Sequence, residues 1–328
     1  MMTLEAFQIE EVDCKKFEDK KISLILSTFR QGPKFELLFE CLSKQTVKNF
    51  ELVISDYLFK TREDYVQKLA QKYNIPTIHI GRDKLGGARA FNLGIANSSG
   101  DYIMSLYDCT YHPHKWIEKH MLICSNNFLS LGTRYFTYNM DFPIQNYLTG
   151  EVTVPEKADP EISKEIERCS NIKDYLHIKF GENQITSPWD FRLLGIPKDL
   201  ITRDNIIINA MPGWTYGGNI AAPTELFLSI NGYDERFDEG FGWSDCELGI
   251  RASNKGYKSF INTSNWFLEI QDKDHDNVFE FIPSINNKES YDHNWKLYEE
   301  ICDKCQTWSN PSINLREIRK EILEFRKE

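Results

Sequence analysis

"ISLILSTFRQGPKFELLFECLSKQTVKNFELVISD", residues 22–56, decides the fold class. Within it "KISLILSTF" (21–29) is a nearly continuous apolar run of strand length, the pattern of a strand buried on both faces. Pro33 then opens "PKFELLFECLSKQ", where apolar residues at 35, 38, 39 and 42 recur with helical spacing. "FELVISD" (50–56) is a second buried strand and ends on Asp56. Strand, helix and strand at this spacing make a parallel pair joined by a right-handed crossover.

The pattern continues outward. "REDYVQKLAQKY" reads as a helix, "IPTIHI" as a third strand, "GGARAFNLGIANSSG" as a glycine-opened helix and "DYIMSLYD" as a fourth strand. This alternation predicts an α/β fold, a mostly parallel twisted sheet flanked by helices. In such sheets ligands bind beyond the carboxyl ends of the strands, where this chain carries Ser27, Thr28, Arg30, Asp56 and Asp108. Residues 130–212 are less regular and read either as an acceptor-binding lid or as variable surface. Beyond them come a strand in "TYGGNIAAP", a helix in "PTELFLSI" with Pro223 in its first turn, and a strand in "YKSFINT". The terminal "NLREIRKEILEFRKE" is an amphipathic helix with apolar positions 315, 318, 322 and 325, suited first to packing on its own domain. No internal repeat is evident.

Composition narrows the class. At 328 residues, 41% hydrophobic and 27% charged, the chain suits a globular protein with a sizeable core. A formal charge of -10 argues against a general nucleic-acid binder. No apolar run approaches the roughly 20 residues that span a bilayer, and the N-terminus is too acidic for a signal peptide, so a cytoplasmic protein with reduced thiols is expected. Cys41 and Cys124 lie in apolar runs and read as core. Cys302 and Cys305 form a CxxC without a second ligand pair, so structural zinc is not expected there. The first strand is not followed by GxGxxG, which counts against a dinucleotide oxidoreductase.

The stretch "FDEGFGWSDCELGIR" (237–251) concentrates acids at the mouth of a helix. Ser244 and Glu247 have the spacing of a capping box, and Asp245 sits in the first turn, where the helix dipole favours an anion. That account leaves Asp238, Glu239 and Trp243 unexplained.

With "GGARAFNLGIANSSGDYIMSLYDCTYHP" and "GGNIAAPTELFLSINGYDERFDEGFGWSDCELGIR" added to the opening stretch, the chain resembles family 2 of the GT-A glycosyltransferases, with an acceptor segment of galactosyltransferase type. The likeness covers about two thirds of the chain, judged against the usual size of such a domain. It implies a GT-A domain over 21–270, with a nucleotide half at 21–125 and an acceptor half at 126–270. Residues 1–20 are then an N-terminal extension, and 271–328 a C-terminal extension with the amphipathic helix.

The resemblance also implies a reaction: inverting, metal-dependent transfer of a hexose or N-acetylhexosamine from a UDP-sugar to a glycan, lipid-linked or other hydroxyl acceptor. Nucleic acid is not an expected partner, no transmembrane segment is expected, and peripheral membrane contact stays open. In this scheme Asp56 accepts a hydrogen bond from uracil, and Thr28 and Arg30 approach base, ribose or phosphate. The helix N-terminus at Gly87 faces an anion, and Arg89 either assists it or faces solvent. Asp108 stands alone where the family has two or three aspartates, and ligates Mn²⁺ or Mg²⁺, hard cations that take remaining oxygens from diphosphate and water. The second metal ligand is His275, with His293 in reserve; a solvated loop is the other reading of His275. Asp245 is the catalytic base, Glu247 either binds acceptor or closes the cap, and Trp243 is either a sugar-stacking face or core. Two rival readings are a catalytically silent nucleotide-sugar or glycan binder and a nucleotidyltransferase on a similar sheet.

Overall fold

The computed structural model describes residues 17, 19–29, 35–84, 86–137, 207–215, 217–240, 242–270, 288–303 and 313–327. Strand β1 (Ile22–Thr28) runs parallel to β2 (Phe50–Asp56) on one side and to β4 (Tyr102–Leu106) on the other, and β3 (Thr77–Gly81) extends the sheet beside β2. All seven residues of β2 are buried, which is why its middle, Leu52, Val53 and Ile54, is apolar without alternation. One face of the sheet carries Leu24, Leu26, Leu52 and Ile54 against α1 (Phe35–Ser43) and α2 (Phe59–Tyr73). The other carries Ile25, Val53 and Ile103 against α3 (Gly87–Asn97). Successive strand residues serve opposite cores, as the pleat requires.

The rest of the sheet is mixed. β8 (Ile220–Pro223) pairs antiparallel with β4, and β6 (Leu129–Thr137) pairs antiparallel with β8. β9 (Ser259–Ile270) runs parallel to β6 and takes β5 (Thr110–Tyr111) and β7 (Ile207–Ala210) as antiparallel partners. Two ends of the stretch read as irregular, 129–137 and 207–210, are therefore sheet strands. Their partner β9 lies far along the chain, so no local periodicity announces the pairing. Most of that stretch lies outside the described residues. Among the described residues of "TYGGNIAAP" only Ile220–Pro223 is strand, because Gly217 and Gly218 make a turn in which Gly218 has φ +83°.

Helices α4 (Trp116–Cys124), α5 (Thr224–Ser229), α6 (Ser244–Asn254), α7 (Lys288–Asp303) and α8 (Leu315–Phe325) complete the described fold. The amphipathic α8 does pack on its own domain. Leu315 is buried in the α3-side core, Arg326 donates to the Asn97 carbonyl at 2.7 Å and Arg319 to the Gly100 carbonyl at 3.3 Å. Among the described residues no helix is long and apolar enough to cross a membrane.

Candidate active site

At the carboxyl ends of β1 and β4, Thr28 Oγ1 donates to Asp108 Oδ2 at 2.5 Å, and both residues are buried. At the end of β2, Asp56 is wholly buried and accepts from the Leu58 amide (2.8 Å), Arg62 Nη2 (2.8 Å) and His79 Nε2 (3.1 Å). A carboxylate has about four acceptor positions, so three of these are taken within the protein. Arg82 closes this corner and is a residue the sequence reading missed, since it follows β3 in no recognisable pattern. Its guanidinium donates to the carbonyls of Thr28 (3.1 Å), Lys84 (2.8 Å) and Gly86 (3.1 Å). Burial lowers its pKa, while the charges of Asp238 and Asp56 oppose that shift. Arg30 lies outside the described residues.

The N-terminus of α3 differs from expectation. Two of its amides are taken within the protein by Asp238: Oδ1 accepts from Ala88 N at 2.8 Å and Oδ2 from Arg89 N at 2.9 Å. Gly86, at φ +135°, leaves the space for this carboxylate, and a Cβ there would overlap it. Arg89 turns to Glu235 at 3.0 Å, while Asn92 bonds both the Tyr233 backbone and Glu235. Arg89, expected at the diphosphate, thus belongs with Ala88 to a clasp joining α3 to the turn at Glu235–Glu239, while the space a Cβ would take at Gly87 is open. The physical reason is plain: four orphan amides attract any carboxylate, and the fold supplies one.

Each acid of 237–251 has a separate partner. The expected capping box does not form: Trp243 is the residue before the helix, in the left-handed region at φ 70°, Ser244 is already helical, and no side chain caps the end. Glu247 is fully buried and pairs in bidentate fashion with Arg251, its Oε1 with Nε and its Oε2 with Nη2 at 2.7 Å. That engagement takes Glu247 away from both the cap and an acceptor. Trp243 rests among Tyr291, Trp295 and Tyr298 of α7, with ring centroids 5.6, 4.4 and 5.0 Å away.

Asp245 is held at the tip of α6 by two backbone amides, Gly217 N to Oδ2 at 2.6 Å and Cys246 N to Oδ1 at 3.0 Å. Burial pushes its carboxyl above the ordinary value, and the two amides pull in the opposite direction. The Arg134–Glu269 ion pair, 3.2 Å long, adds charges that act on this corner. Of the expected metal ligands, Asp108 offers a buried carboxylate of the right chemistry for a hard cation. His275 lies outside the described residues, and His293 stands 3.8 Å from Glu239. Among the described residues no three His, Cys, Asp or Glu side chains gather to hold a metal.

This arrangement is that of a GT-A-type glycosyltransferase fold. A solved structure of GalNAc-T7 with UDP, GalNAc and Mn²⁺ superposes with a TM-score of 0.53 and 13% identity, covering 78% of this chain and 44% of that one. A mannosyltransferase from Pyrobaculum calidifontis in complex with GDP-Man and Mn²⁺ gives 0.50 and 12%, covering 80% and 61%. Residues 23–177 match glycosyl transferase family 2, in line with the resemblance read from the motifs. An uncharacterized glycosyltransferase of Haemophilus influenzae is 28% identical over 107 residues, which is 32% of this chain and 35% of that protein. The matched part is thus about a third of this curated relative's length.

Proposed function

We propose that the protein is an inverting, metal-assisted glycosyltransferase that moves a hexose or N-acetylhexosamine from a UDP-sugar to a hydroxyl acceptor. One observation carries the reading: a carboxylate with raised pKa, Asp245, is fixed by two backbone amides at a helix tip. Such a group suits a general base, whose proton affinity must approach the working pH. Asp245 takes the proton of the acceptor hydroxyl as the oxygen attacks the anomeric carbon from the face opposite the diphosphate. Asp108, steadied by Thr28, is the residue that would hold Mn²⁺ or Mg²⁺, and the cation would supply charge to the departing diphosphate. The buried corner of Asp56, His79 and Arg82 would take the nucleotide base. The family match and the two metal-containing neighbours support this assignment.

The test is Asp245→Asn. Turnover should fall at least about a hundredfold, as loss of a general base typically costs 10²–10⁴. UDP affinity should stay within about twofold, and EDTA should abolish transfer by the unmutated protein. A normal rate in Asp245→Asn would move the base elsewhere. No transfer by the parent over a broad panel of donors and acceptors would favour a silent binding protein.

A further inference from the structure

Neighbouring side chains at the end of β4 leave in different directions. Asp108 turns toward β1 and meets Thr28 at 2.5 Å. Tyr107 turns instead to the Gly217–Gly218 turn in front of Asp245. Its ring lies on Gly218, at φ +83°, where any Cβ would overlap the ring carbons. Phe267 meets the ring edge-on with centroids 6.4 Å apart. The hydroxyl reaches the backbone at Gly217, and a Cβ built there would crowd it while lying 3.4 Å from Asp245 Oδ2. The phenol oxygen and the carboxylate therefore flank one backbone position. The residue is half-buried, with its hydroxyl at the Gly217 backbone beside the base.

We propose that the Tyr107 hydroxyl donates a hydrogen bond to the transferred sugar and helps to select it. The inference rests on the glycosyltransferase reading above. In an in-line displacement the leaving group and the attacking oxygen lie on opposite faces of the anomeric carbon. The sugar ring then lies between the Asp108 side and the Asp245 side, and Tyr107, next to Asp108 in the chain, carries its hydroxyl to the Asp245 side. A phenol is neutral and protonated at ordinary pH, so it can donate while adding no charge beside the base. Sugar hydroxyl or amide oxygens are the matching acceptors, whereas diphosphate is normally gripped by cations. A site built to bond a hydroxyl also rejects analogues that lack it.

Tyr107→Phe removes one oxygen and keeps the ring on Gly218 and Phe267, so the fold is preserved. Affinities for UDP, UDP-glucose, UDP-galactose, UDP-GlcNAc, UDP-GalNAc and GDP-mannose would be measured by calorimetry with Mn²⁺ for parent and variant. The expected result is a loss of about fivefold for the preferred nucleotide sugar, with free nucleotide changed less than about twofold. The same sugars should be discriminated less sharply by the variant in transfer assays. Equal affinities in parent and variant, or an equal loss on nucleotide and nucleotide sugar, would overturn the role of Tyr107 and leave the enzyme assignment standing. A parent that binds none of these nucleotide sugars would overturn both.

Discussion

Glu247 and Asp245 stand two residues apart on one helix, yet their surroundings give them opposite uses. Glu247 faces inward, where Arg251 one turn later satisfies both oxygens and Ile230 accepts from the same guanidinium. Burial raises its pKa, and the Arg251 charge holds it down. Removing one partner of such a pair leaves the other charge buried and unmatched, a loss of about 3–5 kcal/mol. Glu247→Gln is therefore expected to lower Tm and the urea midpoint strongly, with Arg251→Met in the same background recovering part of the loss. Stability unchanged in Glu247→Gln would contradict the buried pair. The spacing of Ser244 and Glu247 was legible as a capping motif, but Glu247 also stands four residues before Arg251, in the i, i+4 register of an ion pair. Sequence spacing fits both, and burial selected the second.

Helix α3 shows the same competition at the scale of an element. Its glycine-rich entry was legible as a place for an anion, and an anion is there, contributed by the chain itself at Asp238. Losing a capping side chain costs about 1 kcal/mol, so Asp238→Ala should destabilise by roughly 0.5–2 kcal/mol. Gly86→Ala should cost at least as much, because it combines a positive φ with overlap on the Asp238 carboxylate. The two changes share one contact, so a double-mutant cycle should be less than additive: without the carboxylate, the added methyl meets less obstruction. Strict additivity would mean that Asp238 does not occupy the α3 entrance in solution.

Across the whole molecule, two buried histidines set the response to acid. His120 bonds Ser130 and Asn219, and Asn219 in turn receives Trp116 Nε1, binding α4 to the middle of the sheet. Burial lowers the pKa of His112 to about 3 and of His120 to about 4, with the neighbouring His120 lowering His112 further and Asn219 opposing the shift on His120. Unfolded histidines titrate near about 6.5, so between that value and the folded values the unfolded chain binds more protons. The stability these groups contribute is full above about pH 6.5 and is lost as pH falls toward 4. Asp238 and Asp245, whose pKa values burial raises, act with the opposite sign and soften the slope. Tm should therefore begin to fall between about pH 6.5 and 5, ahead of the ordinary carboxylate range. A flat Tm over that interval would show that these histidines do not remain buried and neutral.

By itself the sequence determined the parallel half of the sheet and which carboxylates stand at the strand ends. Those features follow from local rules: apolar runs make buried strands, helical spacing makes the covering helices, and successive elements pack beside one another. Asp56, Asp108 and Asp245 were legible because they end or begin such elements. Only the tertiary structure decided that β8, β6 and β9 complete the sheet, that Asp238 fills the α3 entrance, and that Tyr107 lies beside Asp245. These contacts join residues about a hundred or more positions apart, and they depend on partners completing each other's hydrogen bonds or filling space left by glycine. No window of sequence contains both partners, so the choice among the jobs open to each residue is made only when the distant segment arrives.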